Sequence, residues 1–281
     1  MGLKTLIQRI AQNLPVWRSM QALQGQLAEA QRRLDQIDER AEVFERYLRR
    51  SGASERDQRA MDAWYHALQE LHRGSSEDLS LAQQDYIQYF EESADALKKA
   101  GPVLDLGCGR GEWVALLSEE GWDARGVDEN AVVVDEARAN GLRVECGDLF
   151  EALDGCPEDS LAGVTAFQVV EHLPFARVVA LMHSAFRALR PGGILLFETP
   201  NPENLQVATY GFWMDPTHLH PIPPPLIMDL SFYIGFRGGR ILRKNPWPQW
   251  REGEDLTPLE SEVGFRLFGP QDYALLVYKP T

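Results

Sequence analysis

Three glycines in alternate positions, Gly107, Gly109 and Gly111, follow the apolar run Val103-Leu104-Asp105-Leu106. Glycine admits tight turns and lets a backbone come close to a ligand, so the spacing describes a cradle. Asp128 stands 17 positions after Gly111, where a carboxylate suits ribose hydroxyls, and Asp148 follows as a further acid. Groups able to move a proton come later: Glu171-His172, then Glu198-Thr199-Pro200-Asn201-Pro202, then Asp215-Pro216-Thr217-His218 with His220 beyond it. Neutral imidazole serves both as a general base and as a metal ligand, so His172 and His218 lead this group, with Glu171 and Asp215 in support.

These residues need a scaffold, and the pattern around them supplies one. Val103–Leu106 reads as a short buried strand, followed by a helix through Trp113, Leu116 and Leu117. Ala124–Asp128 and Leu142–Cys146 read as the second and third strands, each closed by one of the acids. Gly163–Phe167 is the fourth, leading into Gln168-Val169-Val170-Glu171-His172. A turn at Leu189-Arg190-Pro191-Gly192-Gly193 precedes a fifth strand, Ile194–Glu198, and Gly239–Arg243 with Tyr273–Tyr278 form a terminal pair. Strands alternating with helices predict a doubly wound α/β sheet whose ligands bind beyond the carboxyl ends of the strands.

Composition narrows the function classes. Of 281 residues, 44% are apolar and 25% charged, the balance of a folded globular protein. No stretch approaches the roughly 18–20 apolar residues of a membrane helix, and no secretory leader is evident, so a cytoplasmic protein is expected. Cys108, Cys146 and Cys156 are too scattered for a disulfide framework or a zinc site. The net charge is −14, and residues 101–281 hold 14 basic against 26 acidic side chains. Nucleic-acid binders rely on Lys and Arg to neutralise phosphates, so that partner class is disfavoured.

The first hundred residues read as a separate piece. Apolar residues at Met20, Leu23, Leu27, Ala30, Leu34, Ile37, Ala41, Phe44 and Leu48 alternate steps of three and four, the seam of a coiled coil. Arg33 with Asp38 and Arg40 with Glu45 would pair across a parallel dimer, so a homo-oligomer is expected. The expected division is an amphipathic segment and coiled coil over 1–50, helical linker and covering helices over 51–100, and a catalytic domain over 101–281. Within 51–100, a helix is predicted from about Glu77 to Ala100.

A dinucleotide fold wants G-x-G-x-x-G, whereas this turn reads G-x-G-x-G. The ordered series instead resembles the motifs of class I S-adenosylmethionine-dependent methyltransferases, a Rossmann-like family with a seven-stranded sheet. The resemblance implies that Asp105, Gly107, Gly109 and Gly111 cradle the methionine part. It places Asp128 and Glu129 at the ribose, Asp148 and Leu149 at the adenine, and Gln168 among the cofactor contacts. The E-H pair with T-P-N and D-P-x-H also resembles the metal-binding set of small-RNA 2′-O-methyltransferases. Gln168 stands where the first glutamate of that set would be, so no metal is expected; Glu171, His172 and His218 are the ligands if magnesium or manganese binds. The alternatives for Glu171-His172 are a base or orienting role and simple capping.

The run from Phe167 through EHLPF, LRPGG, ETPNPEN and DPTHLHPIPPP resembles methyltransferases of bacterial polysaccharide gene clusters, including O-antigen chain terminators. The segment His72-Arg73-Gly74-Ser75 with Gln83 to Tyr89 is similar to the part of those enzymes that closes over the cofactor, which implies a role for Arg73 at the methionine carboxylate. Tyr210, Phe212, Trp213 and Met214 could form a platform for a sugar ring. The expected function is O-methylation of a sugar hydroxyl in a cell-surface polysaccharide, lipopolysaccharide or lipid-linked precursor. Expected partners are the glycan acceptor and glycosyltransferases or other polysaccharide-assembly proteins, with the chain peripheral at the inner face of the membrane. Alternatives are a quinone-biosynthesis type of O-methyltransferase and a non-catalytic cofactor-binding scaffold.

Overall fold

The computed structural model describes residues 76–91, 97–98, 101–250 and 256–281. The heptad seam from Met20 to Leu48, the segment before it and Arg73 lie outside the described residues. A first helix, α1 (Ser76–Glu91), precedes β1 (Val103–Leu106). Then follow α2 (Glu112–Glu119), β2 (Ala124–Asp128), α3 (Ala131–Ala139), β3 (Val144–Cys146), α4 (Leu149–Asp154) and β4 (Leu161–Phe167). The second half holds α5 (Phe175–Ala188), β5 (Leu189–Pro200), α6 (Leu205–Thr209), α7 (Pro224–Ile234), β6 (Arg237–Pro246), α8 (Pro258–Phe268) and β7 (Pro270–Tyr278).

The seven strands form one sheet in the order β3-β2-β1-β4-β5-β7-β6. Strands β1 to β5 are mutually parallel, and β7 runs antiparallel to both β5 and β6. This is the seven-stranded Rossmann-like α/β fold of class I methyltransferases. Every residue of β1 and β4 is buried, as expected where helices cover both faces of a parallel sheet.

Side chains alternate between the two faces. Leu104, Leu106, Leu195 and Phe197 join a core with α4, α5 and α7, while Val103, Ile194 and Leu196 join Tyr86, Ile87 and Phe90 of α1 with Trp113 and Val114 of α2. Helix α1 therefore shares a core with the sheet. The chain reverses order after β3, and this crevice between β1 and β4 is where such sheets bind ligands.

Several boundaries differ from the sequence reading. Helix α1 spans Ser76–Glu91 rather than running on to Ala100, β4 starts at Leu161 rather than Gly163, β6 spans Arg237–Pro246 rather than Gly239–Arg243, and β7 starts at Pro270 rather than Tyr273. Strand β5 begins at Leu189, five residues before the expected Ile194, because Leu189 pairs with Leu161 across a register shift in β4. The third strand is shorter, starting at Val144. No helix among the described residues is long and apolar enough to cross a membrane.

Candidate active site

The glycine turn leaves β1 with Gly107, Gly109 and Gly111 all left-handed, at φ 68°, 55° and 81°. A Cβ on Gly107 would stand 2.6 Å from Cγ2 of Val169, so that glycine is required by packing as well as by conformation. A Cβ on Gly109 would meet no atom within 4 Å, so the crest of the turn faces open space. The Gly109 N–H donates to Asp128 Oδ2 at 2.9 Å, and the Asn130 N–H donates to Oδ1 at 2.8 Å. Asp128 is thus fixed by backbone donors at the end of β2, beside the crest. Asp148 caps α4, its Oδ1 accepting from the N–H groups of Phe150 and Glu151 at 2.8 and 2.9 Å. Its Oδ2 takes no part in that cap. An open glycine crest flanked by a fixed carboxylate and a second acid at the next strand end fits a nucleoside-bearing cofactor.

Asp105 lies beneath this loop, buried, and accepts from the Thr165 hydroxyl on β4 at 2.6 Å. Burial pushes its carboxyl up to about 8 against the opposing effect of the Thr165 bond. It braces β1 against β4 and does not reach the surface.

The proton-moving groups gather after β4 and β5. Glu171 and His172 sit on a one-turn 3₁₀ helix, Val170–His172. Glu171 is fully buried, and its Oε2 accepts from the Thr199 hydroxyl on β5 at 2.9 Å. His218 packs against His172 with ring centroids 4.6 Å apart, and its Nε2 lies 3.9 Å from both Glu171 Oε1 and Asp215 Oδ2. Its Nδ1 is 2.6 Å from the Phe212 carbonyl oxygen. A carbonyl only accepts, so Nδ1 carries a hydrogen, and in the neutral ring the lone pair is left on Nε2. Glu171, His172 and His218 each offer one ligand atom, all within 4.8 Å of one another, so this trio could hold a cation. Phe212 is buried against the His218 ring, whereas Trp213 and Tyr210 are exposed next to it in sequence.

The sequence reading placed Gln168 among the cofactor contacts; in the structure its side-chain amide joins a network of carboxylates. Its backbone is left-handed at φ 57°, and its Nε2 donates to Glu198 Oε1 at 3.2 Å and Asp272 Oδ1 at 3.1 Å. Two carboxylates therefore face one amide, which a glutamate at 168 could not serve. Tyr86 of α1 donates to Glu198 Oε2 at 2.5 Å, Asn245 donates to Asp272 Oδ2 at 2.8 Å, and Lys244 lies over the Tyr86 ring. Burial, then the neighbouring Asp272, pushes Glu198 up to about 7. Sequence reasoning missed this network, whose members come from α1, the end of β4, β5, β6 and β7. Glu129 is exposed, Leu149 is partly buried at the head of α4, and Arg73 is outside the described residues.

Comparisons with known proteins agree with this geometry. Residues 77–229 match the family model of a methyltransferase domain. The crystal structure of an S-adenosylmethionine-dependent methyltransferase from Archaeoglobus fulgidus is similar, with TM-score 0.66 and 30% identity over 76% of this chain and 99% of that one. Among curated proteins, a probable S-adenosylmethionine-dependent methyltransferase from Mycolicibacterium smegmatis is 38% identical over 102 residues, 35% of this chain and 38% of that protein. The ubiquinone biosynthesis O-methyltransferase of Alkalilimnicola ehrlichii is 28% identical over 116 residues, 39% of this chain and 46% of that protein. The chain thus matches less than half the length of these two curated relatives.

Proposed function

This chain belongs to the methyltransferase-domain family of S-adenosylmethionine-dependent enzymes, and we propose that it methylates a hydroxyl oxygen on a sugar of a bacterial cell-surface polysaccharide or its lipid-linked precursor. The observation that carries O-methylation is the placement of His218 Nε2, 3.9 Å from the buried Glu171 carboxylate, with Nδ1 held by the Phe212 carbonyl at the carboxyl edge of the sheet.

S-adenosylmethionine supplies an electrophilic methyl group on a sulfonium, which leaves as the thioether when the C–S bond breaks and the C–O bond forms. The protein's part in such an in-line displacement is proximity and alignment. The Gly107–Gly111 crest and Asp128 bind the cofactor, with Asp148 and Leu149 at its adenine end. A sugar hydroxyl must also lose its proton. His218 or His172 takes it at Nε2, and Glu171 and Asp215 stabilise the imidazolium that forms. A divalent cation on Glu171, His172 and His218 would instead acidify the hydroxyl. Two imidazole nitrogens with one carboxylate make a nitrogen-rich set for magnesium, which prefers oxygen ligands.

The exposed Trp213 and Tyr210 support a sugar acceptor, since aromatic faces complement the C–H faces of a pyranose. The likeness to the ubiquinone biosynthesis O-methyltransferase favours a second reading, a small-molecule acceptor of the quinone-biosynthesis type. Self-association through residues 20–48, contact with glycosyltransferases and a place at the inner membrane face belong to the first reading.

Methyl transfer from labelled S-adenosylmethionine into fractionated bacterial extract tests this. Label in the glycan or lipid-linked glycan fraction is the expected result. Label only in the organic small-molecule fraction would replace it with the small-molecule reading. Loss with EDTA, restored by manganese, would select the cation route over the direct base.

A further inference from the structure

The two imidazoles of the site have their tautomers set by different means. For His218 the Phe212 carbonyl is sufficient. For His172 the neighbour of Nδ1 is the Thr217 hydroxyl, 2.8 Å away, and a hydroxyl can either donate or accept. Asp215 removes the ambiguity. Its Oδ1 lies 2.6 Å from the same Thr217 oxygen and also accepts the Thr217 backbone N–H at 2.8 Å. Threonine has one hydroxyl proton. Were it given to His172, two oxygens bearing only lone pairs would face each other at 2.6 Å. The proton therefore lies toward the carboxylate, and the Thr217 oxygen accepts from His172 Nδ1–H.

We infer that Thr217 is a positioning residue, whose hydroxyl, oriented by Asp215, holds His172 as the Nδ1–H tautomer and so presents its Nε2 lone pair to the acceptor. The chain Asp215–Thr217–His172 is an Asp–His dyad with a hydroxyl inserted between its members. Asp215 thereby serves both imidazoles: Oδ1 acts on His172 through Thr217, and Oδ2 lies 3.9 Å from His218 Nε2. The catalytic part of this inference rests on the reading of His172 given above; the tautomer part does not.

The test uses the full chain with ¹⁵N-labelled histidine, loaded with S-adenosylhomocysteine, and two-bond ¹H–¹⁵N correlations of the imidazoles at about pH 8. His172 is assigned by the signal lost in His172→Ala. The wild type and Thr217→Ser should show the Nδ1–H pattern, and Thr217→Val should shift toward Nε2–H. Methyl transfer into whichever extract fraction accepts label should fall about 10-fold in kcat for the valine variant, with KM for S-adenosylmethionine unchanged and serine restoring most of the rate. Thr217 is exposed, so water takes up part of its role in the valine variant and keeps the loss at this size. An Nε2–H pattern in the wild type, or an unshifted pattern in Thr217→Val, overturns the inference. If the pattern shifts but His172→Ala transfers methyl at the wild-type rate, the tautomer assignment stands and the catalytic role of His172 falls.

Discussion

The Tyr86 hydroxyl on α1 donates to the Glu198 carboxylate on β5 at 2.5 Å, a buried contact between residues 112 positions apart. It fastens the helix that precedes the sheet to the rim where the acceptor residues gather. Tyr86→Phe removes the donor and leaves a buried carboxylate oxygen short of a partner. The expected cost is about 1–3 kcal/mol, read as a lower urea midpoint with an unchanged slope. An unchanged midpoint would show that the contact does not hold α1.

Stability should fall as pH rises through neutrality. Asp105 and Glu198 are pushed up to about 8 and about 7, from ordinary values of 3.8 and 4.5. Between the ordinary and the raised value of each group the folded protein keeps a proton that the unfolded chain has released, so each group favours folding less as pH increases. Each contributes a slope of at most ~1.4 kcal/mol per pH unit. Denaturation from about pH 5 to 8 measures it, and Asp105→Asn or Glu198→Gln should flatten the profile. A flat wild-type profile would remove the argument.

Gly107 and Gly109 have similar backbones and opposite surroundings. Alanine at 107 drives a methyl into Val169, so Gly107→Ala should cost about 2–3 kcal/mol of stability. Alanine at 109 meets open space, so Gly109→Ala should cost about 1 kcal/mol while weakening S-adenosylhomocysteine binding about 10-fold. Calorimetric titration beside chemical unfolding separates the two.

Asp128 accepts one backbone N–H on each oxygen. In Asp128→Asn one of those N–H groups would face an NH₂ group. The predicted result is a loss of cofactor affinity of about 10-fold or more, exceeding that of Asp148→Asn, where the caps converge on a single oxygen. Equal losses would argue that Asp128 contributes only its charge.

Gln168→Glu places a third carboxylate against Glu198 and Asp272. It should destabilise by about 2–4 kcal/mol at pH 8 and by less near pH 5, where the cluster can bind protons. A constant loss across that range would mean that geometry, not charge, excludes glutamate there.

Much of this scaffold was legible because its signals are local. Val103–Leu106 and Ala124–Asp128 end where the sequence says they should, at a glycine turn and an acid. Glu171, His172 and His218 also meet as their motifs implied. The Glu198 network was not legible. Gln168 and Asp272 are 104 residues apart, and polar residues at strand ends look like surface until the pairing of β5 with β7 brings them, partly buried, against Glu198. The start of β5 was hidden for a related reason. Turn-forming residues at Pro191-Gly192-Gly193 mask a strand that Leu189 has already joined by pairing with Leu161.

Tyr86 packs against Trp113 and Phe167, and Phe90 against Trp113 and Trp122, with centroids 5.3–6.5 Å apart across this cluster. A chain cut to begin at Gly101 would keep all seven strands and lose the covering rings. It would present two indoles and a phenyl ring to water as one contiguous patch, the kind of surface on which separate molecules stick to one another. Such a trimmed protein would aggregate with its sheet intact, and recombinant work on this fold should retain the residues before Gly101.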